Sequence, residues 1–202
     1  MKEIMLNSLK LFLITLIAGL LLGTVYEITK EPRKKQEEKT KQTAYEKVFE
    51  AADSFEEMDY DKKELETYIS DNGYKPSIAY IDGIVKALDG DKNVVGYVIT
   101  VTDKEGYGGN IQFTIGIQSD GTINGVSFLS IEETAGVGMK AKENKFKSQF
   151  EGRKVDSFEY IKNGATADNQ IDAISGATIT TNAVTNGVNT GILAYKFVME
   201  AN

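Results

Sequence analysis

Residues 111–131 read IQFTIGIQSDGTINGVSFLSI, two apolar segments that are joined by the turn signal Ser119-Asp120-Gly121. Apolar residues alternate along residues 111–118, as expected for a strand with one buried face. Residues 123–131 follow directly after the turn, and a short turn of this composition joins antiparallel neighbours. This stretch therefore predicts a β-hairpin at the centre of an antiparallel sheet.

The predicted sheet extends upstream of this hairpin. Residues 81–88 and 94–101 are rich in β-branched side chains, and Asp89-Gly90-Asp91 between them is a hairpin turn signal. A flexible loop, Gly106-Tyr107-Gly108-Gly109, leads into the central hairpin. Four strands joined by short turns predict an antiparallel sheet.

Helical patterns flank the predicted strands. Apolar residues at helical spacing predict an amphipathic helix that ends near Met58, and further helices over residues 142–150 and 181–199. Residues 155–162 are strand-like. The last helix should pack one apolar face on the sheet, so the fold class is α+β. The residues behind the first pattern are Ala44, Val48, Ala51, Ala52 and Phe55, and those of the last apolar face are Val184, Val188, Gly191, Ile192, Tyr195 and Val198.

The N-terminal segment has the composition of a membrane anchor. Residues 11–26 read LFLITLIAGLLLGTVY without a charge. Extended upstream through Ile4, the segment reaches the roughly 20 residues that a span requires, and Lys10 can snorkel to the interface. A cleaved signal peptide is the alternative, but the apolar run is long for one and no A-x-A-like site follows it. We expect an anchor over residues 1–29, a charged stalk with the amphipathic helix over 30–60, and a folded domain over 61–202.

Two missing residue types restrict the chemistry. The 202 residues include no cysteine and no histidine, and the formal net charge is −7. This composition excludes thiol nucleophiles, cysteine- or histidine-ligated metals and a Ser-His-Asp triad. Acidic and basic residues are mixed, without a basic stripe for nucleic acid. We predict no catalytic and no metal-binding residue, and any redox role must rest on an organic cofactor.

The segment Asp172-Ala173-Ile174-Ser175-Gly176-Ala177-Thr178 precedes the last predicted helix. Small residues, a glycine and a free hydroxyl at a helix N-terminus can hold a phosphate. Serine and threonine at such a position also cap helices by satisfying free N–H groups. Thr180 and Thr181 have the same two interpretations, and the spacing alone does not separate them.

The pattern D-x-x-S-G-A-T resembles the flavinylation motif of the FMN-binding domain family. In that family the threonine hydroxyl carries FMN through a phosphoester bond. The resemblance implies that Thr178 is the covalent attachment point. A second G-A-T sequence, Asn163-Gly164-Ala165-Thr166, has Tyr160 where the motif has its aspartate. The implied recognition positions are Asp172, Ser175, Gly176 and Ala177.

Two upstream loops resemble further landmarks of this family. Residues 106–109 resemble its glycine-tyrosine-glycine-glycine loop, and residues 133–138 (ETAGVG) resemble its E-T-P-G-L-G loop. Two positions depart from the family pattern, namely Ala135 in place of proline and Ile131 where a histidine often precedes the glutamate. The resemblance implies that loop 132–140 contacts the flavin ring. The cofactor contacts that we expect are Glu133, Thr134, Gly136, Gly138, Thr180 and Thr181.

One span, a short stalk and this domain resemble the RnfG family, the G subunits of Rnf electron-transport complexes. The resemblance implies FMN transferred from FAD by a separate flavin transferase with loss of AMP. It also implies electron relay among the membrane and iron–sulfur subunits of a ferredoxin:NAD oxidoreductase that moves sodium ions or protons, without independent catalysis. One alternative is the sister NqrC family of sodium-pumping NADH:quinone reductases, and another is a flavin-free anchored scaffold whose motif is only a helix cap.

The charges around the span and the resemblance disagree about the side of the membrane. Lys2 and Lys10 precede the apolar segment and four basic residues follow it within positions 30–35, so charge counting places the domain in the cytoplasm. Long domains translocate regardless of such charges. The resemblance implies a domain on the extracytoplasmic side of the cytoplasmic membrane, and this is the location that we expect.

Overall fold

The computed structural model describes residues 1–201 and contains two compact units, Met1–Gln42 and a second unit that begins at Thr43. Helix α1 (Lys2–Val48) accounts for the first unit. By length and composition it is able to cross a membrane, and its apolar residues upstream of Glu31 are exposed. This agrees with the predicted anchor.

The second unit is built on an antiparallel sheet. Within residues 1–201 its strand order is β1-β2-β3-β4-β5, so each strand lies beside its neighbour in sequence. The predicted central hairpin is confirmed, with Ile115 paired to Val126. The strands are β1 (Ser54–Glu57), β2 (Ala79–Leu88), β3 (Val94–Asp103), β4 (Ile111–Gln118) and β5 (Ile123–Ile131).

The prediction of a helix that ends near Met58 is wrong for its C-terminal half. Helix α1 ends at Val48, and residues 54–57 form β1, in which Phe55 pairs with Ala87 of β2. The N–H of Asp53 already donates to the carbonyl of Leu88 at 2.8 Å. Pairing with a distant strand therefore outweighs the local helical spacing.

Helix α2 (Lys62–Asp71) was not predicted from the sequence. Asp61 caps it, because its carboxylate accepts from the N–H groups of Lys63 and Glu64. Leu65 and Ile69, one turn apart, are buried in the core. An aspartate followed three residues later by a glutamate is a known helix-start signal, so the cap was readable in the sequence.

Short elements connect the sheet to the last helix. The continuous helix predicted over 142–150 is instead divided into a 3₁₀ turn (Gly138–Lys142), α3 (Asn144–Lys147) and a second 3₁₀ turn (Ser148–Phe150). Phe146 and Phe150 still lie on one side and meet edge to face, with ring centroids 5.7 Å apart. Two short strands, β6 (Glu159–Ile161) and the unpredicted β7 (Gln170–Asp172), pair in parallel.

Helix α4 (Thr178–Ala201) begins three residues before the predicted start and packs on the sheet. Val184, Val188 and Ile192 of the predicted apolar face are buried. Gly187 allows close packing, since a Cβ there would lie 2.7 Å from the ring of Phe113. The opposite sheet face carries a smaller core of Val48, Phe49, Val85, Ala87 and Val98.

Candidate functional site

Three segments meet at one end of the sheet, where strands β3, β4 and β5 begin or end. In an antiparallel sheet the end of β3, the start of β4 and the end of β5 lie at the same end of the sheet. Loops 104–110 and 132–137, which continue from these strand ends, therefore lie side by side. The N-terminus of α4 joins them around a cavity of about 500 Å³. Its lining residues are Tyr107, Glu133, Thr134, Val137, Gly138, Gly176, Ala177, Thr178, Ile179 and Thr180.

Glu133 ties the two loops together. Its side chain is buried, and its Oε1 accepts a hydrogen bond from the backbone N–H of Tyr107 at 2.8 Å. A carboxylate that accepts from a backbone N–H makes a strong, charge-assisted hydrogen bond. Glu133 therefore sets the position of the glycine-rich loop relative to the second loop.

Glycines let these segments approach closely. A Cβ at Gly138 would lie 2.6 Å from Glu133 Oε2 and 2.7 Å from Thr180 Oγ1. A Cβ at Gly106 would lie 2.9 Å from Glu133 Oε1, and one at Gly108 would overlap the carbonyl of Glu132. The backbone contact at this end of the sheet thus requires residues without a side chain.

The start of α4 presents free N–H groups to the cavity. Ser175 and Gly176 form a turn in which Ala177 N donates to Ile174 O at 2.9 Å, and Gly176 has a φ of +79°. The first helical hydrogen bond runs from Thr181 N to Ala177 O. The N–H groups of residues 178–180 therefore have no intrahelical acceptor. These residues line the cavity, and the Thr178 side chain is exposed.

Four of the predicted site residues lie outside the lining of this cavity. Thr181 is buried, and its hydroxyl accepts from Ile174 N at 3.0 Å and donates to Ala177 O at 2.9 Å. It thus holds the turn that precedes α4. Asp172 Oδ1 accepts from the N–H of Ala165 at 2.9 Å. The four residues outside the lining are Gly136, Asp172, Ser175 and Thr181.

An apolar rim surrounds the opening. Tyr107 is 69% exposed, Ile179 52% and Val137 38%. From residue 43 to the end of the described chain, the other exposed large apolar residues are Val94 and Met199. Three of five such residues thus surround one cavity, which is typical of a binding site. Val137 lies in loop 132–140, for which the resemblance implied contact with the flavin ring, whereas Tyr107 and Ile179 were not among the expected cofactor contacts.

Asp103 is a second buried carboxylate near the site, and it connects the end of β3 to α4. Its buried carboxylate lies at the end of β3 and accepts from Glu105 N at 2.8 Å and from Asn186 Nδ2 at 2.7 Å. Burial raises the pKa of Asp103, and the two hydrogen bonds oppose this effect. The contact joins the start of loop 104–110 to α4. Among residues 1–201 no group of three or more carboxylates is arranged to hold a metal ion.

The residues present fit a phosphate joined to an aromatic ring. Free N–H groups at a helix start favour an anion, and the rim of Tyr107, Val137 and Ile179 offers apolar surface to a flat ring. A cavity of about 500 Å³ lies within the usual size of cofactor sites, about 300–1,000 Å³. The site can thus hold an anionic, partly aromatic cofactor.

Comparison with known proteins assigns the same region. The FMN-binding domain family matches residues 106–192, from the glycine-rich loop into α4. The G subunit of the Na(+)-translocating ferredoxin:NAD(+) oxidoreductase complex of Acetobacterium woodii is 31% identical, over 94% of this chain and 90% of that protein. The G subunit of the proton-translocating ferredoxin:NAD(+) oxidoreductase complex of Clostridium ljungdahlii is 30% identical, over 87% of this chain and 83% of that protein.

The fold also resembles a solved structure. NqrC of Shewanella oneidensis superposes with a TM-score of 0.59 at 17% identity, covering 82% of this chain and 99% of that chain. At this identity the likeness shows a shared fold. The antiparallel sheet with packed helices therefore belongs to a known architecture.

Proposed function

Because the chain belongs to the family of G subunits from ion-translocating oxidoreductase complexes, we propose that it is a membrane-anchored electron carrier with FMN bound covalently at Thr178. The FMN-binding domain match covers the cavity and its three segments. When bound, FMN supplies redox chemistry in one- or two-electron steps. The protein holds the group and controls its surroundings.

The position of Thr178 carries this proposal. It is the first residue of α4, its side chain is exposed, and it lines the cavity beside the free N–H groups of Ile179 and Thr180. A phosphoester at Thr178 Oγ1 would place negative charge at the positive end of α4. By contrast, Thr166 lies in an exposed loop without a helix behind it.

The attachment chemistry needs only the hydroxyl of Thr178 from this chain. In the proposed reaction, Thr178 Oγ1 attacks the riboflavin-side phosphorus of FAD and a new P–O bond forms. The P–O bond to the AMP part breaks and AMP leaves. The hydroxyl proton passes to a base of the flavin transferase. A covalent link retains the cofactor where no free FMN refills the site.

The partners follow from the family. We assign the chain to a complex with other Rnf membrane and iron–sulfur subunits, in which it relays electrons between ferredoxin and NAD without catalysing a reaction alone. One relative is named for sodium ions and another for protons, so the proposal includes no coupling ion. The NqrC alternative is less well supported, because the RnfG-type relatives are 30–31% identical over 87–94% of this chain, whereas the 38% identity to an NqrC-type relative extends over 35% of it.

In-gel flavin fluorescence of the denatured protein tests the attachment. The full chain, Thr178→Val and Thr166→Val are each co-expressed with an active flavin transferase. We expect fluorescence in the wild type and in Thr166→Val, and none in Thr178→Val, because valine keeps the shape and removes the hydroxyl. Absence of fluorescence in every sample, with a transferase that loads another acceptor, would contradict the proposal and favour the scaffold alternative.

A further inference from the structure

A cluster of lysines follows the second cavity loop directly. Residues 138–147 read GMKAKENKFK and form the 3₁₀ turn Gly138–Lys142 and helix α3. With four lysines and one acidic residue, Glu143, this lysine segment has a net charge of +3, in a chain whose formal net charge is −7. Its charge is therefore opposite to that of the whole molecule. The basic residues of the segment are Lys140, Lys142, Lys145 and Lys147.

The lysine segment begins at the cavity. Gly138, its first residue, is part of the cavity lining. A Cβ at Gly138 would lie 2.7 Å from Thr180 Oγ1, and the 3₁₀ turn packs against α4. Lys140 N donates to Val137 O at 3.2 Å, and Val137 belongs to the apolar rim. These contacts place the first lysine one turn away from the rim of the opening.

The inner side of the lysine segment is apolar and its outer side is basic. Ala141 and Phe146 are buried in the core, and each stands between two of the lysines. The lysine side chains are exposed, apart from the half-buried Lys147. Within residues 1–201, none of the four is in an ion pair or donates a side-chain hydrogen bond. Their charges therefore lie at the surface without a counter-charge from the chain itself.

Binding of the cofactor does not account for these charges. Among the described residues no lysine lines the cavity, and the free N–H groups at the start of α4 already favour an anion there. Of the other segments around the opening, loop 104–110 has one basic and one acidic residue, loop 132–137 contains Glu132 and Glu133, and residues 178–195 have no charge. The lysine segment is thus the positive side of the opening.

The positive side borders an apolar patch. Tyr107, Val137 and Ile179 of the rim are exposed around the same opening. An apolar centre with a charged periphery is the usual composition of a protein–protein interface, and opposite charges across such an interface guide the two partners together. A lipid surface that covered both patches would close the opening to an electron-exchange partner. The arrangement therefore fits a protein partner with acidic residues around an apolar contact area.

We propose that the lysine segment docks an acidic surface of the protein subunit that exchanges electrons with the bound cofactor, and that the apolar rim is buried in the same contact. This inference rests on the proposed function and adds the chemistry of the partner. Electron exchange requires the partner to approach the cofactor closely, so a docking surface beside the opening serves it directly. Attraction between opposite charges increases the rate of the productive encounter.

Reversal of two charges tests the docking. The FMN-loaded full chain is immobilised in detergent, and its association with the solubilised complex from cells that lack this chain is measured over a range of salt concentrations. Lys142→Glu combined with Lys145→Glu reverses two exposed charges. We expect the association rate constant to fall about tenfold at low salt. The difference from the wild type should shrink at high salt, because ions screen exposed charges.

Lys62→Glu combined with Lys63→Glu is the matched control, since it changes the net charge by the same amount at two exposed positions. Both lysines belong to α2, which contacts the other end of α4 through the ring pair of Tyr68 and Phe197. The length of α4 separates that end from Thr178 by about 30 Å. The control should associate as the wild type does. Covalent FMN, measured by in-gel fluorescence, should be unchanged in both double variants.

Lysine acetylation distinguishes a protein partner from an anionic membrane surface. The FMN-loaded chain is treated with an N-hydroxysuccinimide acetate in three states, namely alone in detergent, bound to the solubilised complex, and in vesicles of phosphatidylcholine with phosphatidylglycerol. Mass spectrometry measures the modification of each lysine. We expect Lys142 and Lys145 to be protected in the complex and modified in the vesicles as in detergent, with Lys62 and Lys63 as the reference.

Three results would overturn the inference while leaving the proposed function intact. These are an unchanged association rate after charge reversal in the lysine segment, an equal loss in the α2 control, and protection of the segment by the anionic vesicles alone. The third result would assign the lysines to lipid headgroups. Failure of the wild-type chain to carry FMN or to associate with the complex would instead refute the proposed function, and this inference with it.

Discussion

Single polar side chains that reach across long stretches of sequence organise the site. Glu133 accepts from Tyr107 N, 26 residues upstream, and Asp103 accepts from Asn186, 83 residues downstream. Each buried carboxylate satisfies backbone or amide donors that would otherwise be unpaired. Replacement of Glu133 or Asp103 therefore removes a contact that positions the segments around the cavity.

The pH dependence of stability should report on Asp103. Because burial raises the pKa of its carboxyl in the folded protein, the native state binds the proton more tightly than the unfolded chain. Its contribution is therefore fully present below the ordinary value of 3.8 and is lost as the pH rises through the folded pKa. We expect the stability of Asp103→Asn relative to the wild type to increase as the pH rises from the ordinary value of 3.8 through the folded pKa, in urea unfolding followed by circular dichroism.

Asp156→Asn is the control for that measurement, because the contribution of the Asp156 carboxyl to stability should change with pH in the opposite direction. Lys196 lies 2.6 Å from Asp156 and lowers the pKa of its exposed carboxyl. The contribution of Asp156 is present above the ordinary pKa and is lost as the pH falls. If the free energy of unfolding of the wild type relative to Asp103→Asn increased with pH, the conclusion that the pKa of Asp103 is raised in the folded protein would be contradicted.

The end of α1 acts as a cover for one face of the sheet. A Cβ at Gly96 would lie 2.5 Å from Phe49 Cζ, and a Cβ at Gly116 would overlap the carbonyl of Val48. The two strand glycines thus make room for this helix end, in a fold whose opposite sheet face is covered by α4. Close approach of backbone to a sheet is a recognised use of glycine in strands.

Truncation of Phe49 tests this cover. Phe49 is 3% exposed and packs with Val85, Ala87 and Val98, so Phe49→Ala should lower the free energy of unfolding by about 3 kcal/mol. Phe55, six residues further on in β1, is half-buried, and Phe55→Ala should cost only about 1 kcal/mol. Urea unfolding of both variants in detergent measures the difference. A smaller loss for Phe49→Ala than for Phe55→Ala would show that the helix end does not stabilise the sheet.

The anchor and the folded unit together define how the protein is placed in a cell. Helix α1 is long and apolar enough to cross a membrane, and the family comprises subunits of ion-translocating complexes. The basic residues on the two sides of the span favour a cytoplasmic domain, whereas the family resemblance implies a domain on the extracytoplasmic side, which is the location that we expect. The two alternatives differ in a directly measurable property.

Cysteine labelling distinguishes these orientations. Since the chain contains no cysteine, Asp91→Cys and Lys2→Cys each introduce a single thiol, the first in the β2–β3 hairpin and the second before the span. In intact spheroplasts we expect a membrane-impermeant maleimide to label Asp91→Cys, and to label Lys2→Cys only after permeabilisation. The wild-type chain is the unlabelled control. The reverse pattern would place the domain in the cytoplasm.

Local patterns in the sequence determined the span, the four strands 81–131 with their turns, the last helix and the glycine loops. Strand alternation, turn residues and an apolar helix face act over a few neighbouring residues, and such signals need no knowledge of the rest of the chain. The tertiary structure alone decided that residues 54–57 pair as β1, that β7 joins β6, and that Asp172 and Thr181 hold loops instead of lining the cavity. Each of these depends on a partner brought close by the fold, such as Leu88 for Asp53 or Ala165 for Asp172. A contact of this kind leaves no periodic signal in the sequence, because its energy comes from groups that only the folded chain places side by side.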